Sequence, residues 1–419
     1  MNFKESFDEV ALRLSAWWDH EKTDRPVISY YHPKKGSSLG GYLDAMGEDW
    51  TLAKNHDGIE QALESFEKRA EKTLYGGESV PSYFTNYGAG IIAAIFGSEP
   101  KFESETVWFQ KISNPKDIVN LLENVKLNQN NEWFSRLLKV TQFAAKRAKD
   151  RYQISITDLG GVLDVLSSLI SPTEVILTMK RAPHIIDTCR QIILEKLLKI
   201  FDELYKIMKK YCNGFNTWLN IWCEKSWYPV QCDFISMLNP KWFERFALPD
   251  IITQMQHMDY SIYHMDGPYQ IPFLDHFLSI DELTGIQWVP GAGKPPQGSE
   301  EWLHLYKKIQ DAGKSVIIDT LPDNISYLYK VLDPMKIYAR TYFTSETIAN
   351  LYLPSFIGGQ EGKLIDKIFK WVSSQGKQRL NKDDLEEFLT KHDLKFNTKA
   401  KREILKKINS KFKKKLFFT

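Results

Sequence analysis

The chain has 419 residues, of which 43% are hydrophobic and 26% charged, with a formal net charge of +2. That length suits one large α/β barrel with an appendage, or two ordinary domains, and the composition excludes disordered and fibrous classes. No run of eighteen apolar residues is present, which argues against a membrane span. The start Met1-Asn2-Phe3-Lys4-Glu5-Ser6 lacks the apolar core of a secretion signal. Cys189, Cys212, Cys223 and Cys232 form no C-x-x-C pair and no zinc-finger spacing, so a reduced, cytoplasmic setting is expected.

Taken in chain order, an amphipathic first helix carrying Trp17-Trp18 precedes a strand over residues 26–31. The aromatic-rich stretch 36–108 reads as an irregular insertion. Helical spacing over 131–149 is followed by a strand at 152–157, and a long helix spans 184–211. Strands are then predicted at 217–222, 228–233, 261–263, 285–288, 315–318 and 336–339, with helices at 240–246, 300–312 and 324–332. The alternation approaches the strand–helix count of a (β/α)8 TIM barrel, the predicted fold, with a doubly wound open sheet as second choice. The barrel is assigned to residues 1–355 and a Lys-rich helical extension to 356–419. From residue 361 onward 17 Lys and Arg face 8 Asp and Glu, so the body carries the opposite sign. A solvated helical end explains that tail better than a nucleic-acid surface.

Catalytic groups of such barrels lie at the C-terminal strand ends. Here those ends carry Asp158, Trp222, Cys232 with Asp233, His264 with Asp266, Gln287 with Trp288, Asp319, and Tyr342. His264 and Asp266 are the sharpest pair. Two apart on a strand, they share a face, and together they are able to hold a divalent metal or move protons. The bland alternative is a hydrogen bond pinning the loop before Gly267-Pro268. Asp158, ahead of Gly160-Gly161, is either a third catalytic residue or the cap of the following helix. Cys232 is a soft metal ligand or a buried filler. Gln287, Trp288, Trp222, Asp233 and Tyr342 are read as substrate-binding, with core packing the alternative for the tryptophans. Gly291-Ala292-Gly293-Lys294 is not a phosphate loop, because Pro295-Pro296 stands where a helix should begin.

The blocks Asp24-Arg25-Pro26-Val27, Asp158-Leu159-Gly160-Gly161-Val162-Leu163-Asp164, Pro229-Val230-Gln231-Cys232-Asp233-Phe234, Tyr263-His264-Met265-Asp266-Gly267-Pro268 and Gly285-Ile286-Gln287-Trp288-Val289-Pro290-Gly291-Ala292-Gly293 resemble the uroporphyrinogen decarboxylase superfamily. The likeness spans about residues 5–350 and is nearest a decarboxylase-like branch beside the corrinoid-linked methyltransferases. It implies a (β/α)8 barrel with its pocket at the C-terminal face. In the methyltransferase branch it further implies a zinc ion, held by H-x-C and a later cysteine, that activates a thiol to accept a methyl group from a corrinoid protein. His264 matches the histidine, Asp266 replaces the first cysteine, and residues 339–344 offer no second one. Gln287 lies near where relatives place a carboxylate.

The resulting expectation is a metal-assisted methyltransferase-like enzyme acting on a small thiol or methylated compound. His264, Asp266 and Cys232 would hold the metal, zinc first. Its partners would be a small-molecule substrate and a corrinoid protein, with a homodimer also open. The alternatives are a cofactor-free decarboxylase of a porphyrinogen-type acid and a non-enzymatic binding partner of a corrinoid protein. The decarboxylase's arginine-rich N-terminal signature is reduced to Arg25 in residues 24–33.

Overall fold

A computed structural model describes residues 7–41, 50–103, 106–112, 114–149, 151–356 and 371–391, with isolated positions at 46, 368, 402, 405, 406, 408 and 409. The described strands are β1 (Val27–Pro33), β2 (Thr73–Gly77), β3 (Ser82–Phe84), β4 (Pro100–Phe102), β5 (Val107–Phe109), β6 (Gln153–Ser155), β7 (Trp227–Gln231), β8 (Tyr260–Asp266), β9 (Leu283–Val289), β10 (Ser315–Asp319) and β11 (Ile337–Tyr342). A seven-stranded sheet runs β2-β1-β11-β10-β9-β8-β7. All its neighbours pair parallel except β2, which lies antiparallel against β1. A separate parallel pair joins β3 to β6, and β4 and β5 form a small antiparallel hairpin.

The central strands are largely buried on both faces, because helices and core cover the two sides of a parallel sheet. Strands β7, β9 and β10 are buried along almost their whole length. Helices fill the connections, among them Glu132–Ala148, Val162–Ile170, Pro183–Tyr211, Leu248–Gln256, Leu303–Asp311 and Pro322–Val331. The first helix, Phe7–Trp18, closes the N-terminal end of the sheet. Trp18 packs on Trp227 and Tyr260 at ring distances of 4.9 and 5.3 Å, and Trp17 meets Tyr338 at 5.2 Å. Each of those partners lies at or near the start of its strand, so the opposite, C-terminal, end remains for chemistry.

Two sequence expectations change. Residues 217–222 form no strand; Thr217 makes one parallel bridge to Ile156, and Phe215 bridges Cys223. The chain turns there because Asn220 adopts a left-handed φ of +53°, which Asn tolerates better than most residues. The stretch 36–108 is not purely irregular, since it contains β2, β3, β4, β5 and the helix Ile59–Lys72. Three-residue strands are too short to show alternation, which hid them from periodicity. Beyond Phe356, the described residues include the helix Lys382–Lys391, whose Phe388 packs on Trp371. Most of the lysine-dense stretch 399–415 lies outside the described residues. No single described helix is long and apolar enough to cross a membrane.

Candidate active site

Strand register gathers the polar residues. Gln231 on β7 pairs with His264 on β8, and His264 pairs with Gln287 on β9. Register partners point to the same side of a sheet, and residues two apart do likewise. Gln231, His264, Gln287 and Asp266 therefore share one face. On neighbouring strands the same parity brings Asp319 opposite Arg340, and Tyr31 opposite Tyr342.

At the C-terminal end of this face Asp233, His264 and Asp266 converge, with one potential ligand atom from each lying within 4.8 Å of the others. The described contacts include no direct bond between His264 and either carboxylate, so the three groups approach without consuming one another. His264 Nδ1 is 2.5 Å from Gln287 Oε1, and the imidazole edge meets the Trp218 ring at 5.1 Å. Gln270, fully buried on the turn after β8, donates from Nε2 to Asp233 Oδ1 at 3.3 Å and accepts from the Tyr263 hydroxyl at 3.1 Å. Asp233 keeps surface open to solvent. Even so, desolvation by the protein around its carboxyl raises its pKa, with Asp266 adding to the rise and His264 opposing it. An accessible yet desolvated carboxyl belongs to a recess.

A second layer of carboxylates surrounds the triad. Asp164, in the first turn of the helix Val162–Ile170, accepts from the backbone N–H of Phe234 at 2.8 Å and of Asp233 at 3.1 Å. Burial, and then the nearby Asp233 charge, push its pKa up to about 7. Asp158 accepts from Gly160 N at 2.8 Å, Gln231 Nε2 at 3.1 Å and the Tyr228 hydroxyl at 3.2 Å. Burial raises the Asp158 pKa, and the charge of His264 opposes the rise. Asp158 does not cap the following helix; Gly161 holds that position. Instead, its bond to Gly160 N is a local Asx turn.

Several sequence assignments move. Cys232 follows the last residue of β7, is 3% exposed, and is not among the three groups that converge, whereas Asp233 begins the next turn and is exposed. Burial pushes the Cys232 thiol pKa well above the ordinary value, with the charges of Asp164 and Asp233 adding to the rise. Asp233, assigned to substrate, takes its place in the cluster. Trp288 is fully buried, has the opposite parity to Gln287, and packs on Trp302 at 5.0 Å in the helical layer. Trp222 lies toward the other end of the fold, where it packs on Phe7 and its carbonyl accepts from Trp18 Nε1. Neither tryptophan lines the triad. Gln287 faces it but is engaged by His264, while Tyr342 stands at the end of β11, beside the ion pair of Arg340 with Asp319. Gln231, Asp164, Gln270 and Trp218 were not singled out by the sequence. Parity with His264 would have flagged Gln231, but the other three arrive from separate loops and helices. A surface cavity of about 850 Å³ around Ile112, Asn120 and Asn124 shares no residue with the cluster.

No family model matches the chain, and no curated protein matches it in sequence. A solved structure does: a methyltransferase from Methanosarcina mazei superposes with a TM-score of 0.52 at 12% identity, over 80% of this chain and 93% of that one. The likeness is one of fold. It spans nearly the whole of that methyltransferase.

Proposed function

We propose that the chain is a metal-assisted, methyltransferase-like enzyme on a (β/α)8 barrel of the uroporphyrinogen decarboxylase type, with Asp233, His264 and Asp266 as metal ligands. The barrel reading draws support from eight strands, β1, β3, β6, β7, β8, β9, β10 and β11, that pair parallel wherever they pair with one another. The observation that carries the site is the convergence of three ligating groups within 4.8 Å without bonds among them. Two carboxyls this close repel when both are charged, and a shared cation or a shared proton relieves the repulsion; the nearby imidazole nitrogen favours the cation reading. One nitrogen and two oxygens suit zinc, manganese or ferrous iron, whereas the thiolates that favour zinc alone are absent from the set. Asp233, His264 and Asp266 would hold the ion, which when bound would supply Lewis acidity to a thiol or water.

The chain's own residues supply the rest. Asp158 accepts from Nε2 of Gln231, the register partner of His264, and is the neighbouring carboxyl assigned here to take up the proton of a thiol. Gln270 and Asp164 hold the Asp233 loop. The methyl donor implied by the sequence resemblance is a corrinoid on a partner protein, and the substrate is a small molecule. Elemental mass spectrometry of the purified protein beside an Asp233→Asn/His264→Ala variant tests the site. Near-stoichiometric metal in the wild type and its loss in the variant support the reading. Equal, negligible metal in both after reconstitution overturns it and favours metal-independent decarboxylation. Methyl transfer from methylcobalamin to a small thiol, followed by the corrinoid spectrum, tests the reaction itself.

A further inference from the structure

We infer that Gln287 is a positioning residue for His264, fixing the hydrogen on Nδ1 so that the Nε2 lone pair is presented to the ion. This rests on the metal reading for its purpose but not for its physics. The register His264↔Gln287 places the two side chains next to each other on one face of adjacent strands. Gln287 Oε1 then lies 2.5 Å from Nδ1. An amide oxygen has no hydrogen to give, so a bond at that distance requires Nδ1–H, and in the neutral ring Nε2 is left as the acceptor. Gln287 is 5% exposed, so water does not compete well for its oxygen.

The choice of an amide also follows from the surroundings. Carboxyl groups already gather here: Asp158 accepts from Gln231 Nε2, Asp164 accepts from the backbone N–H of Asp233, and Asp233 and Asp266 each bring an oxygen within 4.8 Å of a His264 ring nitrogen. A carboxylate at 287 would orient the ring equally well but add another charge to a recess crowded with them. The neutral oxygen sets the tautomer without that cost. Outer partners of this kind typically contribute ten- to a hundredfold in metal affinity.

The test is long-range proton–nitrogen NMR of metal-free protein labelled with nitrogen-15 histidine, at a pH where the ring is neutral. The His264 signals are assigned by their loss in His264→Asn. The expected wild-type state is Nδ1–H; Gln287→Leu moves the ring toward Nε2–H, and Gln287→Glu restores Nδ1–H. A wild-type ring with Nε2–H, as an amide turned the other way would impose, overturns the proposal, as does an unchanged tautomer in Gln287→Leu. In a parallel titration with manganese alone, Gln287→Leu should bind roughly ten- to a hundredfold more weakly than wild type, and Gln287→Glu should recover the loss. Should the tautomer shift while no variant binds metal, the positioning role stands and the metal reading falls. Undiminished metal binding in Gln287→Leu overturns the role in ligation.

Discussion

At the scale of single residues, the site turns on which of two adjacent side chains faces the recess. Asp233 and Cys232 are neighbours in sequence, yet Asp233 joins His264 and Asp266, while Cys232 is buried away from them. Asp233→Asn should therefore reduce bound metal at least about tenfold, since it removes an anionic ligand, whereas Cys232→Ala should leave the stoichiometry unchanged. Its cost is about 1 kcal/mol of stability through lost packing, seen as a shift in denaturant midpoint. Strand parity separates Gln287 from Trp288. Trp288→Phe is expected to leave metal content and turnover near wild type while lowering stability, with activity and thermal unfolding as paired readouts. The H-x-D spacing of His264 and Asp266 was legible in the sequence because the two residues belong to one strand. The approach of Asp233 was not, because the sequence read Cys232 as the ligand and Asp233 as a substrate contact, and only the fold brings the Asp233 carboxyl near the other two.

At the scale of elements, loops are held against strands by close approach. A Cβ on Gly161 would lie 2.3 Å from the Gln231 carbonyl oxygen and 3.1 Å from the Cys232 Cα, both backbone atoms that cannot swing aside. Gly161→Ala should cost about 1–3 kcal/mol and displace the Asp233 turn, lowering metal affinity together with stability. Elsewhere Glu67, on the helix Ile59–Lys72, fastens that helix to the helix Glu132–Ala148 and to the approach to β6. It accepts from Arg147 Nη2 at 2.9 Å, Arg151 Nη2 at 2.8 Å and the Tyr152 hydroxyl at 2.7 Å. Burial alone would push its pKa up, but the bonds from Arg147 and Tyr152 and the charge of Arg151 bring it down to about 2. A depressed carboxylate stabilises the fold above its unfolded pKa, and that contribution fades as pH falls toward the folded value. Stability should thus decline between about pH 4.5 and 2. Glu67→Gln should flatten that part of the profile and cost about 1–3 kcal/mol at neutral pH, measured by denaturant unfolding across pH.

At the scale of the whole molecule, the long helix Pro183–Tyr211 is tied to the helix Leu248–Gln256 by a buried pair. Arg190 Nε and Nη2 donate to the two Asp250 oxygens at 2.8 and 2.7 Å, with both side chains under 10% exposed. Asp250→Ala leaves the guanidinium buried without its partner and should destabilise by about 3–5 kcal/mol, with the metal stoichiometry of the folded fraction unchanged. Loss of metal at full stability would instead join these distant helices to the site.

The sequence by itself determined what is local and periodic. It placed most parallel strands, as buried β-rich runs ending in Asp, His or Gln, together with the long helices and the pair His264 and Asp266. Side-chain alternation and helical spacing are written in consecutive residues and need no partner to be read. Only the tertiary structure decided how strand ends align, because register is a relation between segments far apart in the chain. His264 meets Gln287 across 23 positions, and Gln270 meets Asp233 across 37. The turn at Asn220, the burial of Cys232, Trp222 and Trp288, and the approach of Asp233 to His264 and Asp266 follow from packing that no single segment encodes. Each was settled by which backbone lay beside it.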